Sequence, residues 1–245
     1  MKANEIKLDS VTVSYGLFKK IEVLRDLSLT MKTGEVTILY GPNGIGKTSL
    51  IRALCGQLQL SGGSIEWHGK DLTNALKERR FKSTGNFEAG KMLYQYATLK
   101  ENLILNNALL EGIGLTPIEQ AENLLGKEKL LNNPIDEMSL GQRQRSSLIC
   151  ALRKPAELYF FDEPDNGLDR EALDEFIDTL LSEPYNRAVN VIATHDSFLV
   201  SKIGHQVAFM AKDKFIVKKR DELPTDITEL DKVLYNWIKH GVYDE

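Results

Sequence analysis

The sequence predicts an α/β protein whose parallel sheet is buried on both faces, and three stretches carry that prediction. "ELYFFDE" (157–163) and "AVNVIATHD" (188–196) are apolar runs ending in polar residues, the pattern of strands covered on both sides. "VTILY" (36–40) is a third such run, followed by a glycine-rich loop and then a helical pattern. Helical periodicity separates the runs, so strands alternate with helices as a parallel sheet requires.

The elements follow in chain order. Residues 4–40 alternate like strands in "EIKLDSVTVSY", "VLRDLSLTM" and "GEVTILY", which predicts an antiparallel addition ahead of the core. A helix is expected over Lys47–Leu54, with Gly56 free to close it. "GGSIEWHG" (62–69) reads as a short strand between turns, and 74–90, polar and glycine-bearing, as a short helix and a loop. "KMLYQY" (91–96) is expected to be a strand ending at Gln95. Residues 98–133 are leucine-rich with helical spacing, broken by "GIGLTP" and "NNP". Helices are expected over 140–152 and 169–182, and "QVAFMAKDKFIVKK" (206–219) as a closing hairpin. Ile227, Leu230, Leu234 and Trp237 form a helical stripe in the tail, expected to pack on the domain.

Composition narrows the function. At 245 residues the chain can bury a substantial core. A net charge of −4 argues against a broad basic surface for nucleic acid, and no such partner is expected. No stretch approaches the roughly 20 apolar residues of a membrane span, and "MKANEIKLDS" lacks a secretory core, so no direct membrane insertion is expected. The expected place is the cytoplasm. Any membrane spanning would fall to another chain. Cys55 and Cys150 sit in apolar helical runs and read as small buried hydrophobes.

Two motifs carry chemistry. "GPNGIGKTS" (41–49) fits G-x-x-x-x-G-K-[ST] between a strand and a helix. Its glycines let successive backbone N–H groups and the helix N-terminus wrap a polyphosphate. Lys47 adds a charge at the β- and γ-phosphates, and Thr48 offers a hydroxyl to Mg²⁺. "LYFFDEP" (158–164) places Asp162 at the C-terminal edge of the sheet, where it can hold Mg²⁺. Glu163 is then poised to orient or deprotonate a water that attacks the γ-phosphorus.

With those residues in place, the chain resembles the nucleotide-binding subunit of an ABC (ATP-binding cassette) transporter across essentially its whole length. The family's motifs occur in order: "VSYG", "GPNGIGKTS", "LYQY", "MSLGQ", "LYFFDEP", "DNGLD" and "ATHD". The resemblance implies a P-loop NTPase with a RecA-like parallel-sheet core, an N-terminal antiparallel β subdomain and an inserted α-helical subdomain. It implies one domain over 1–245, with 1–95 and 156–245 as core, 96–155 as the helical signature subdomain and 222–245 as a helical tail. ATP and Mg²⁺ would be the cofactors. Tyr15 would stack on adenine, with Phe18 as a rival, and Gly41, Pro42, Asn43, Gly44, Ile45, Gly46, Lys47, Thr48 and Ser49 would bind the nucleotide. Thr48, Gln95 and Asp162 would serve the metal, and Glu163, His195 and Gln95 the hydrolysis, with Asp169 in the D-loop. His68, His205 and His240 fall in no motif.

Two departures stand out. Ile45 replaces a small residue of the phosphate loop, and Leu140 replaces the first glycine of the signature. Ser139, Leu140, Gly141 and Gln142 are expected to face the ATP of another cassette, in a homodimer or with a paired ATPase chain. Gln95 and Ser139 leave room for only a compact helical subdomain between them. The resemblance implies a transporter motor, peripheral on the cytoplasmic face of the membrane beside transmembrane permease subunits. The alternative is a soluble ATPase without transport, resembling the iron–sulfur cluster assembly ATPases.

Overall fold

The computed structural model describes residues 5–16, 21–72, 84–88, 93–109, 118, 129–153, 156–212 and 214–240. Two sheets carry the architecture. The first is antiparallel and contains β1 (Glu5–Tyr15), β2 (Ile21–Lys32), β4 (Gly62–Trp67) and β5 (Lys70–Asp71) in the order β2-β1-β4-β5. The second contains β3 (Val36–Tyr40), β6 (Thr84–Glu88), β7 (Leu158–Asp162), β8 (Val189–Thr194), β9 (Gln206–Ala211) and β10 (Lys214–Lys219). Its order is β10-β9-β3-β8-β7-β6, parallel throughout except for the antiparallel edge strand β10.

Alternation along these strands divides the core into two layers. In β7, Tyr159 and Phe161 face one layer while Leu158 and Phe160 face the other. In β9, Val207 and Phe209 oppose Ala208 and Met210 in the same way. The first layer is closed by α2 (Leu99–Leu109), α3 (Leu140–Leu152), α4 (Arg170–Leu181), α5 (Ser197–Ile203) and α6 (Ile227–His240). The antiparallel sheet and α1 (Lys47–Leu54) close the second. Strands covered on both faces have no polar side to display, which is why their sequences are mainly apolar, and buried exceptions such as Thr37 and Asn190 are hydrogen-bonded, to Gln206 and to the Tyr185 carbonyl respectively.

Most expected elements stand where the pattern put them. The strand before the helical block does not. Leu93–Ala97 is a turn, and the strand is β6, inside the stretch expected to be a short helix and loop. β6 gains its place by pairing in register with β7, from Thr84 opposite Leu158 to Glu88 opposite Asp162. The turn is held by Asn102 of α2, whose side chain accepts from the Tyr94 N–H at 2.7 Å and donates to the Tyr94 carbonyl at 3.2 Å. Such a cross-link competes with strand pairing and leaves no local pattern. In the tail, Leu230, Leu234 and Trp237 are buried as expected, and Trp237 meets Phe209 edge to face at 5.4 Å. Ile227 is exposed, because it begins α6 before the helix reaches the sheet. The hairpin's β9 also joins the main sheet beside β3.

Cys150 is buried, which pushes its thiol up to about 12, and Cys55 is partly buried; neither is in a disulfide. His205 pins the start of β3, its Nδ1 accepting from the Val36 N–H at 3.1 Å.

Candidate nucleotide site

β3 delivers the chain to the C-terminal edge of the parallel sheet, and residues 41–46 turn it back into α1. Two glycines are required there for different reasons. A Cβ on Gly41 would sit 2.4 Å from the Met210 carbonyl oxygen. Gly46 has φ +111°, and a Cβ there would meet Leu24 at 2.5 Å. Ile45 is accommodated: its side chain packs on the apolar layer shared with Leu24 and Leu27, and its N–H reaches the Pro42 carbonyl at 3.4 Å.

Lys47 is buried, and its ammonium donates to the Gly41 carbonyl at 2.7 Å and the Pro42 carbonyl at 3.2 Å. Burial lowers its pKa, opposed by the charges of Glu163 and Asp162. The Thr48 hydroxyl donates to Asp162 Oδ2 at 2.7 Å, tying the first turn of α1 to the end of β7. Glu163 follows with φ +50°, a conformation that costs a non-glycine residue about 1–3 kcal/mol and persists only where the surroundings enforce it. Its N–H donates to the Ala193 carbonyl at 2.8 Å, and its carbonyl accepts from the Asn166 N–H at 3.2 Å. Its Oε1 lies 3.7 Å from Lys47 Nζ and 3.6 Å from His195 Nδ1. β7 and β8 are neighbours in register, so their C-terminal ends bring Glu163 and His195 together.

A cavity of about 440 Å³ opens over this edge. Asn43, Gly44, Gly46, Lys47, Thr48 and Ser49 line it together with Asp162 and Glu163. Val23 and Asn166 complete the lining and were not anticipated. Val23 carries no motif, whereas Asn166 lies inside the "DNGLD" motif, of which only Asp169 was singled out. Gly41 and Pro42 serve from behind, through the carbonyls that hold Lys47.

Tyr15, Ile45, Gln95 and His195 also stand apart from the cavity lining, although His195 reaches Glu163 beside it. Tyr15 donates to or accepts from Ser49 Oγ at 3.2 Å, so it touches α1 rather than the open space; its rival Phe18 lies outside the described residues. Gln95 is exposed in the turn after residue 93, and its amide donates to the Leu93 carbonyl at 3.3 Å. This arrangement does not bring Gln95 to Asp162. The register positions beside Asp162 belong to Glu88 of β6 and Ala193 of β8.

The signature stretch is also outside the cavity. Ser139 caps α3 by a reciprocal pair: its hydroxyl accepts from the Gln142 N–H at 3.2 Å, and its N–H donates to Gln142 Oε1 at 3.0 Å. Leu140 is 62% exposed. Gly141 lies so close to the turn after Glu163 that a Cβ on it would be 2.8 Å from the Gly167 carbonyl oxygen. Asp169 caps α4, accepting from the Ala172 N–H at 2.8 Å.

The family described as ABC transporter matches residues 24–166, more than half of the chain. Over 197 residues the chain is 30% identical to the uncharacterized ABC transporter ATP-binding protein YhcH of Bacillus subtilis (strain 168), spanning 79% of this chain and 64% of that protein. It is 25% identical over 225 residues to the lantibiotic transport ATP-binding protein SrtF of Streptococcus pyogenes, spanning 92% of this chain and 95% of that one. A solved structure of the ATP-binding cassette MJ0796, a dimer in a post-hydrolysis state bound to ADP and Pi, has a TM-score of 0.76 at 21% identity. It covers 88% of this chain and 98% of its own. The chain belongs to the ABC transporter family. Within that family it has the P-loop cassette fold and is an ATPase.

Proposed function

We propose that this chain is the ATP-hydrolysing subunit of a membrane transporter, working as a pair of cassettes docked on separate transmembrane chains. The observation that carries the reading is the placement of the Glu163 carboxylate. It lies 3.7 Å from Lys47 Nζ and 3.6 Å from His195 Nδ1, at the wall of the cavity that the phosphate loop lines together with Asp162, Val23 and Asn166. Backbone N–H groups of the loop and the N-terminus of α1 would hold the phosphates. Lys47 would exchange its carbonyl partners for phosphate oxygens. Glu163 would take a proton from water as the water oxygen bonds to the γ-phosphorus. The bond from that phosphorus to the bridging oxygen then breaks, and ADP leaves with phosphate. His195 would hydrogen-bond the phosphoryl oxygens.

Thr48 and Asp162 fit Mg²⁺. Two oxygens on adjacent corners of an octahedral site with bonds of about 2.1 Å stand roughly 3 Å apart. Thr48 Oγ1 and Asp162 Oδ2 are 2.7 Å apart, so both oxygens could serve one ion once the Thr48 hydroxyl, keeping its proton, turns that proton away from Asp162. When bound it would neutralise charge developing on the transferring phosphoryl group.

Ser139–Gln142 does not line the chain's own cavity, which supports its use by a second cassette in a head-to-tail pair. Among the described residues no helix is long and apolar enough to cross a membrane, which supports separate spanning chains. The Glu163→Gln variant tests the pairing: saturating Mg-ATP is expected to double its mass in light scattering. A mass that stays monomeric overturns the paired reading. Purification from detergent extract is expected to bring an integral membrane chain. Soluble scaffold proteins alone would favour the non-transport alternative.

A further inference from the structure

Helix α3 has a second task beyond its capped start. Gln144, one turn in, is 4% exposed, and its amide nitrogen donates to the carbonyls of Glu163 and Pro164, each at 3.3 Å. Gly141, three residues earlier and so on the same helix face, lies against the Gly167 carbonyl. Leu140 completes the contact: a Cβ on Gly167 would meet its Cγ at 3.1 Å. The first turns of α3 are therefore laid along residues 163–167, the segment that begins with Glu163. Glu163 has a left-handed backbone, so what grips its carbonyl also sets where its carboxylate points. The Asn166 N–H and the Gln144 amide both grip that carbonyl, and Gln144 brings its grip from the signature helix.

We propose that Gln144 is a positioning residue that ties the signature helix to the Glu163 backbone of the same chain. Nucleotide held against Ser139–Gln142 in one composite site then adjusts Glu163 in the other, so the two sites of a pair fire in concert. This rests on the paired reading above. The coupling runs through one rigid helix and two hydrogen bonds, a contiguous path about one helical turn long.

The test uses the full chain. Gln144→Met keeps length and bulk but removes the donor. It is expected to lower kcat about tenfold with the ATP KM unchanged, because a misaligned base affects the reaction step alone. The Hill coefficient for ATP is expected to exceed 1 in the parent and to fall to about 1 in the variant. The double variant Glu163→Gln, Gln144→Met is expected still to pair with Mg-ATP, so a failure of pairing in Glu163→Gln alone separates the two ideas. Unchanged kcat and Hill coefficient overturn the proposal. A parallel collapse of kcat, KM and melting temperature assigns Gln144 a packing role and overturns it equally. Gln144→Asn keeps an amide one methylene short and carries the same test if the methionine variant does not fold, with a smaller expected loss of kcat.

Discussion

The phosphate loop and the signature turn both offer backbone N–H groups at the start of a helix, yet they are built to opposite specifications. The loop is braced from behind: Gly41 presses on Met210, Lys47 holds two loop carbonyls, and Thr48 grips Asp162. Its open side is a cavity. The signature turn is closed on itself, with the Ser139 hydroxyl and Gln142 amide satisfying each other's backbone and Leu140 standing in solvent. The first region is a half-site ready before any ligand arrives. The second must open a capping pair, worth about 1 kcal/mol, before its N–H of Ser139 is offered elsewhere. Preorganisation on one side and a small opening cost on the other suit the proposed site assembled from two chains, whose closed form would then form late and release readily.

The comparison can be broken at its strong side first. Lys47→Ala removes both the phosphate charge and the brace on the loop. ATP affinity is expected to fall about a hundredfold, read by titration with a fluorescent nucleotide. A loss below threefold would mean that the backbone cradle alone holds the phosphates. Glu163→Gln leaves the cradle intact and is expected to lower kcat about a thousandfold with nucleotide still bound, measured as phosphate release.

At the weak side the expected effects shrink. Leu140→Gly clears the side chain standing over the helix start and Gly167. In the Glu163→Gln background it is expected to tighten ATP-driven pairing about fivefold, read as the ATP concentration for half-maximal mass. Weaker pairing would show that Leu140 itself makes a contact across the pair. Between the two regions lies Asp165, whose Oδ1 accepts from the Thr194 hydroxyl at 2.8 Å. Burial raises its pKa above 3.8, with the Thr194 hydrogen bond opposing. A raised folded pKa makes the ionised carboxylate a liability: the penalty is absent below the unfolded pKa and complete above the folded one. Asp165→Asn keeps the acceptor and is expected to raise the melting temperature by about 2 °C at neutral pH. That gain is expected to vanish below about pH 4, where both states are protonated.

What could be read from sequence follows a physical boundary. Gly41–Ser49 and Asp162–Glu163 were legible because each motif is contiguous: residues adjacent in the chain stay adjacent at a strand end, wherever the strand sits. The buried strands were legible because two covered faces leave few polar positions. Gln95 was misplaced because its turn depends on Asn102, which holds Tyr94 from the next helix. β6 was missed because "TGNFE" becomes a strand only through pairing with β7. Val23 reaches the cavity from a separate sheet with no local pattern to mark it, and Asn166 reaches it from the turn of the "DNGLD" motif, which by itself does not say which of its residues faces the cavity.

The sequence alone determined the phosphate loop, the acidic strand end, the order of motifs and the two-layer α/β class, since each depends on local spacing and on which residues avoid water. The tertiary structure decided the rest. It set Glu163 beside both Lys47 and His195, withdrew Tyr15 and Gln95 from the cavity wall, closed Ser139 on Gln142, and laid Gln144 on the Glu163 carbonyl. Those relations join elements far apart in the chain, and only the packing of the two layers determines which distant groups come within hydrogen-bonding distance.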